Sequence, residues 1–196
     1  MNLQEIPLIL QLDVAGNPKM WIDYERSAYH YAKDNVAWST GKADCVLHGG
    51  ISSMTGKQST LTINTIIAIR GDINQKFIER SKIPSLDNEI LFRRDRHICG
   101  YCGNSNTHKK LTRDHIIPVS KKGKNIWMNV ITACTRCNKK KADKTPEQAN
   151  MPLLYVPYIP NRAEALILRN RRILADQMEF LIKQVPKESR LLECNQ

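Results

Sequence analysis

The longest alternating stretch of the chain is Thr60–Arg70, where Leu61, Ile63, Thr65, Ile67 and Ile69 fall on one side of an extended backbone. It predicts a strand with one buried face. Ile6–Leu12 predicts a second strand, and Asp44–His48 a short third. Between them Asp23 stands where an N-cap would, before a helix over Tyr24–Lys33 that buries Ala28, Tyr31 and Ala32. Gly49–Ser59, rich in Gly, Ser, Thr and Lys, reads as loop, and Pro84 within the polar stretch Ser81–Asn88 marks a boundary. The pattern predicts a small α+β region over residues 1–82, suited to targeting, DNA binding or partner binding.

The C-terminal pattern is helical. Thr145-Pro-Glu-Gln148 has Thr at N-cap, Pro at N1 and Gln at N3, a helix start. Prolines 152, 157 and 160 make Met151–Pro160 extended and drape it over another surface. Asn161-Arg-Ala-Glu164 resembles a capping box and opens a helix carrying Leu166, Leu174, Met178, Leu181 and Val185, stopped by Pro186. Residues 161–196 thus read as a C-terminal helix and tail. The apolar stripe packs on the protein's own core or, as a sharper alternative, forms a homodimer contact.

One strand breaks the apolar rule. Leu111–Ser120 carries the charged pair Asp114-His115 in its middle. Side chains alternate along a strand, so the two point to opposite faces and neither face is left to plain packing or plain solubility.

Composition narrows the class. Hydrophobic residues make up 41%, ordinary for a globular chain, which excludes wholesale disorder. The N-terminal MNLQEIPLILQL lacks a basic n-region, and no apolar run approaches the roughly 18 residues of a membrane helix. The expectation is a soluble protein of the cytoplasm, nucleoid-associated if bacterial, with no membrane partner. The charge is uneven. Arg93–Lys144 holds 14 Lys and Arg against 3 Asp and Glu, a net of +11, equal to that of the whole chain. One basic block of this kind points to a polyanion partner, DNA foremost, or else to a solvated basic face.

The cysteines sharpen this. Cys99-Gly-Tyr-Cys102 and Cys134-Thr-Arg-Cys137 are paired; Cys45 and Cys194 are isolated and read as ordinary thiols. One Cys-x-x-Cys can be a redox motif, but two such pairs fit a tetrahedral zinc better. Four thiolates leave no open position for water, so this Zn2+ would be structural.

Between and around the pairs stand Asp114-His115, Asn129 and Asn138. With the text RRDRHICGYCG, LTRDHIIPVSKKGKN, WMNVITACTRCNKKKADKTPEQA and MPLLYVPYIP, residues 93–160 resemble an HNH endonuclease domain. The resemblance implies a hairpin followed by a helix wrapped on a metal (ββα-metal), with the four-cysteine zinc as a staple. The fold class is then α+β: the N-terminal region, an HNH domain over 90–160, and the C-terminal helix. The N-terminal region resembles the strand-rich extension of many bacterial members.

Chemistry fits these residues. Phosphodiester hydrolysis needs a water placed in line with the leaving oxygen. His115 can take that water's proton, because imidazole titrates near neutrality. Asp114 can hold a hard cation such as Mg2+. The resemblance makes Asn138, at a position often His, the second ligand, and Asn129 the residue that steadies the loop and the catalytic His. Lys141, Arg96, Arg113 and Arg136 are candidates for phosphate contacts. The loop Ser120-Lys-Lys-Gly-Lys124 departs from the family, where two consecutive glycines are common; Lys122 stands at one glycine's place.

The expected function is therefore a metal-dependent DNA endonuclease, nicking or cutting both strands, in phage defence, restriction or a mobile element. The alternatives are a non-catalytic zinc module that binds nucleic acid, and a nuclease subunit directed by a partner.

Overall fold

A computed structural model describes residues 7–43, 45–71, 83–105, 107–170 and 172–192. Ile6, Asp44, the Ser81–Lys82 part of the expected boundary and the isolated Cys194 lie outside the described residues. The chain forms two compact units, residues 1–80 with 162–185, and residues 81–161 with 186–196.

The first unit contains β1 (Ile9–Asp13), β2 (Pro18–Ile22), α1 (Tyr24–Ala32), β3 (Val36–Thr40), β4 (Cys45–Ile51), β5 (Gln58–Ile63) and β6 (Ile66–Ile69). One sheet has the order β2-β1-β6-β3, and β4 with β5 forms a separate hairpin. β1 and β6 run parallel, with Leu10 opposite Ile66. Thr60–Arg70 is thus two strands in two sheets, not one. The chain switches at Asn64-Thr65, where Thr65 finds its partners off the ladder. Its N–H donates to the Lys42 carbonyl at 3.0 Å and its carbonyl accepts the Leu10 N–H at 2.9 Å. Its hydroxyl donates to Asp176. All four residues of β6 are buried, as a central strand covered on both faces requires. Strict alternation therefore stops at Ile63.

Asp23 caps α1 as expected, accepting the Arg26 N–H at 2.8 Å. Ala28 and Tyr31 pack against the core of Ile9, Ile22, Ile63, Ile67 and Ile69. Ala32 is exposed at the end of the helix, and Ser27 is the buried residue instead. The expected loop Gly49–Ser59 is shorter, because β4 runs through Ile51 and β5 starts at Gln58. Polar side chains close this hairpin: Gln58 Nε2 donates to the Gly49 carbonyl at 3.1 Å and the Ser59 hydroxyl to that of Gly50 at 3.2 Å.

The single C-terminal helix expected from residue 161 is two helices, α4 (Arg162–Arg169) and α5 (Ala175–Ile182), both in the first unit. The break ends in a turn that starts the second helix: the Leu174 N–H donates to Gln177 Oε1 at 3.1 Å. Leu166, Leu181 and Val185 are buried within this unit, so its own core takes up the stripe and the dimer contact finds no support. No helix among the described residues is long and apolar enough to cross a membrane.

The second unit contains α2 (Asn88–Arg94), then the antiparallel pair β7 (Leu111–His115) and β8 (Val130–Cys134), then α3 (Thr135–Lys141). Hairpin followed by helix is the ββα order, and the molecule is mixed α+β as the sequence predicts. The capping signal at Thr145 is real, with Gln148 N–H donating to Thr145 Oγ1 at 3.4 Å and Gln148 Oε1 accepting the Thr145 N–H at 3.1 Å. The helix it announces lasts one turn, ended by Asn150 at φ 51 and by Pro152. Met151–Pro160 is extended and lies on the first cysteine pair, its Leu154 N–H donating to the Gly100 carbonyl at 2.8 Å.

Arg94 and Asp95, each 1% exposed, tie this unit together. The guanidinium meets Asp95 at 2.8 Å and donates to the carbonyls of Trp127, Val130 and Tyr158. Asp95 in turn accepts the Thr132 N–H of β8 at 2.8 Å.

Candidate active site and metal centre

The centre of the site is β7. Backbone pairing fixes it against β8, with Leu111 opposite Cys134 and His115 opposite Val130. That register ties one end of β7 to the second cysteine pair and the other to the catalytic candidates.

The four paired cysteines converge. The sulfurs of Cys99, Cys102, Cys134 and Cys137 lie within 4.8 Å of one another. A tetrahedral zinc with Zn–S near 2.3 Å needs sulfurs about 3.8 Å apart, so a small inward adjustment suffices. The turns are built for it: the Gly103 N–H donates to the Cys99 carbonyl at 2.9 Å, and the Cys137 N–H to Cys134 Sγ at 3.4 Å. Burial opposes ionisation of Cys99, but backbone N–H donors outweigh it and hold its thiol below the ordinary value. Burial, then the neighbouring thiols, push Cys137 up. Four thiolates so close repel one another unless a cation neutralises them, which suits a metal centre. Cys45 is a free thiol on β4, raised by burial.

Asp114, 5% exposed, turns inward to two donors. The Tyr101 hydroxyl, from within the first cysteine pair, donates to Oδ2. Lys141 Nζ donates to Oδ1 at 3.1 Å and to the His115 carbonyl at 2.7 Å. Burial, together with the Asp114 hydrogen bond and charge, pushes the Tyr101 hydroxyl pKa far up, so it remains a donor. His115 is half-buried, and its Nε2 is itself buried with no hydrogen-bond partner among the described residues.

Asn129 pins the loop that leaves His115. Its Nδ2 donates to the carbonyls of Ile117 at 3.1 Å and Lys124 at 2.9 Å, and its Oδ1 accepts the Ile117 N–H at 2.9 Å. All three bonds go to the loop backbone. In that loop Lys122 adopts φ 63, the left-handed geometry that glycine takes most easily. Gly123 cannot be replaced in place, because a Cβ there would lie 1.7 Å from the Ile117 carbonyl oxygen. Asn138, on α3, donates from Nδ2 to Thr112 Oγ1 at 2.9 Å, on the Asp114 face of β7.

The phosphate candidates separate. Lys141 is 0% exposed and both its bonds go inward, so it has no surface to offer a phosphate. Its spacing from Cys137, i and i+4 on α3, was the signal that it shares the zinc-facing side. Arg113 is held by Asn88 at 2.8 Å and Asn125 at 3.0 Å. Arg96 is half-buried at φ 57. Arg136 is exposed and, with Lys140, lines a cleft of about 360 Å³ beside the cysteines. His97 and His108 stand apart from the four-sulfur cluster; His108 packs on Phe92 with ring centroids 5.0 Å apart. Sequence reasoning assigned no role to Tyr101, Arg94 or Asp95.

Hairpin, helix and four-cysteine cluster define a ββα unit whose sulfurs are placed for a metal ion. Residues 99–154 match the HNH endonuclease family, so the resemblance read from the sequence stands for that segment. Among solved structures the chain is similar to the Type II-C Cas9 enzyme from Actinomyces naeslundii, at 17% identity over 56% of this chain and with a TM-score of 0.28. It spans 14% of that enzyme's length. No curated protein matches the chain.

Proposed function

We propose that the second unit is a metal-dependent nuclease that hydrolyses DNA phosphodiester bonds, with a structural zinc on Cys99, Cys102, Cys134 and Cys137. The observation that carries this reading is the His115 imidazole, whose buried Nε2 has no hydrogen-bond partner among the described residues, at the end of a strand fixed on both sides. A buried ring nitrogen left unpaired calls for a partner, and a base that is to take a water proton offers such a nitrogen on a fixed ring.

The donors present fit a hard cation. A carboxylate has about four lone-pair sites, and Tyr101 and Lys141 use two of those on Asp114. Asn138 spends its amide NH2 on Thr112, which leaves its oxygen as a donor to metal. Asp114 and Asn138 would hold a divalent ion such as Mg2+, which characteristically keeps waters and substrate phosphate as its remaining ligands. Bound there, the ion would supply charge stabilisation at the leaving oxygen. His115 accepts the water proton. Asn129 keeps the loop after His115 from moving the base. Arg136 and Lys140, exposed beside the cysteines, draw the DNA backbone in.

The test is supercoiled plasmid incubated with wild type and with His115→Ala, each with Mg2+ and with EDTA. Nicked or linear product from wild type with Mg2+ alone is the expected result. Equal cleavage by His115→Ala, or none by a folded wild type that binds DNA, would leave a non-catalytic or partner-directed zinc module.

A further inference from the structure

We propose that Lys141 and Tyr101 are positioning residues, which clamp Asp114 between two donors while the Lys141 ammonium keeps its hold on a divalent cation weak. The inference rests on the nuclease reading above and deepens it.

Lys141 is fully buried, and a buried ammonium persists only where it is paired. Here it touches both members of the Asp-His pair, the carboxylate of Asp114 and the carbonyl of His115. Tyr101 takes the other carboxylate oxygen. The two donors come one from each cysteine pair's segment. Tyr101 lies between Cys99 and Cys102, and Lys141 lies one helical turn beyond Cys137. The same metal centre that folds the unit therefore aims Asp114 and anchors the exit of β7 beyond His115.

Charge adds a second consequence. Asp114 is the acid of this clamp, and Lys141 already neutralises it at 3.1 Å. A divalent cation approaching the carboxylate meets that ammonium in a poorly hydrated place, where like charges repel more strongly than in water. Phosphate supplies the missing negative charge, so cation and DNA should bind together better than the cation alone.

The experiment uses the full chain and the variants Tyr101→Phe, Lys141→Met and Lys141→Arg. Mn2+ binding without DNA is read by electron paramagnetic resonance, and plasmid cleavage is followed as kcat and KM. Tyr101→Phe and Lys141→Met are expected to bind Mn2+ at least about threefold more tightly, because a competing donor or charge is gone. In the same variants kcat is expected to fall at least about tenfold with KM for DNA nearly unchanged, because Asp114 is no longer aimed. Lys141→Arg, which keeps the charge, should keep weak Mn2+ binding. A purely structural role would move affinity and turnover in the same direction or not at all. Unchanged or weaker Mn2+ binding in the folded variants overturns the proposal. Where Lys141→Met does not fold, Tyr101→Phe decides, since the ring stays in place. A wild type that cleaves nothing while the Mn2+ shift persists sinks the nuclease reading and leaves the clamp standing.

Discussion

Lys141 and Asp114 form an ion pair at 3.1 Å, with side chains 1% and 6% exposed. Buried pairs of this kind add little over an apolar pair of the same shape, yet losing one partner strands a charge. Lys141→Met alone should lower the stability of the second unit by about 3–5 kcal/mol. Lys141→Met combined with Asp114→Asn should recover part of that loss. Urea denaturation of the two single variants and the double closes the cycle. Additive losses would mean that the pair does not couple.

The Arg94–Asp95 pair makes a sharper demand. The guanidinium serves one carboxylate and three carbonyls in a fixed fork. Lysine has three donors on a single nitrogen and cannot reproduce that geometry. Arg94→Lys is expected to cost about 2–4 kcal/mol by leaving buried carbonyls unpaired. Chemical denaturation followed by Trp127 fluorescence reads it, since Trp127 is buried against this network.

Metal removal should unfold the second unit rather than slow it. The four sulfurs bring together residues 99–102 and 134–137, and structural zinc binding is coupled to folding. A strong chelator, or Cys102→Ser, should release zinc and shift Trp127 emission to the red. A folded, zinc-free Cys102→Ser protein contradicts the structural assignment.

Asp176 gives a pH prediction. Burial raises its pKa, but the Thr65 hydroxyl and the Lys42 and Gln177 N–H groups outweigh it, so the folded value lies below the ordinary 3.8. A depressed acid contributes stability that is fully present above its unfolded pKa and is lost as pH falls through the folded one. The first unit should therefore weaken as pH drops below about 4, and Asp176→Asn should flatten that part of the curve. Thermal melts from pH 7 down to pH 3 test it. An unchanged acid limb in the variant counts against the assignment.

DNA affinity should fall steeply with salt. Two of the 14 cations in the basic block, Arg94 and Lys141, are buried, but each takes an acid inside with it. The outward net charge therefore stays at +11. Binding measured between about 50 and about 200 mM salt should weaken at least about tenfold by counterion release. A flat dependence would remove the polyanion partner.

Local chemistry made much of this protein legible in advance. The two Cys-x-x-Cys pairs can be read from spacing, because four sulfurs that are to share one metal must sit on turns of fixed offset, and the structure brings them together; Asp114-His115, Asn129 and Asn138 stand out in the sequence by family pattern. Asp23 and Thr145 announce helix starts because capping is settled within four residues. What spacing could not decide is where long-range partners lie. The strand Thr60–Arg70 breaks at Thr65 because its partners Lys42, Leu10, Asp176 and Gln177 are not its neighbours in sequence. The C-terminal stripe belongs to the core of the first unit because that core had a face to cover. Lys141 looks in sequence like one more surface cation. Only the fold, by setting α3 against β7, gives it a buried carboxylate and a carbonyl, and so turns a charge for the solvent into a clamp on the site.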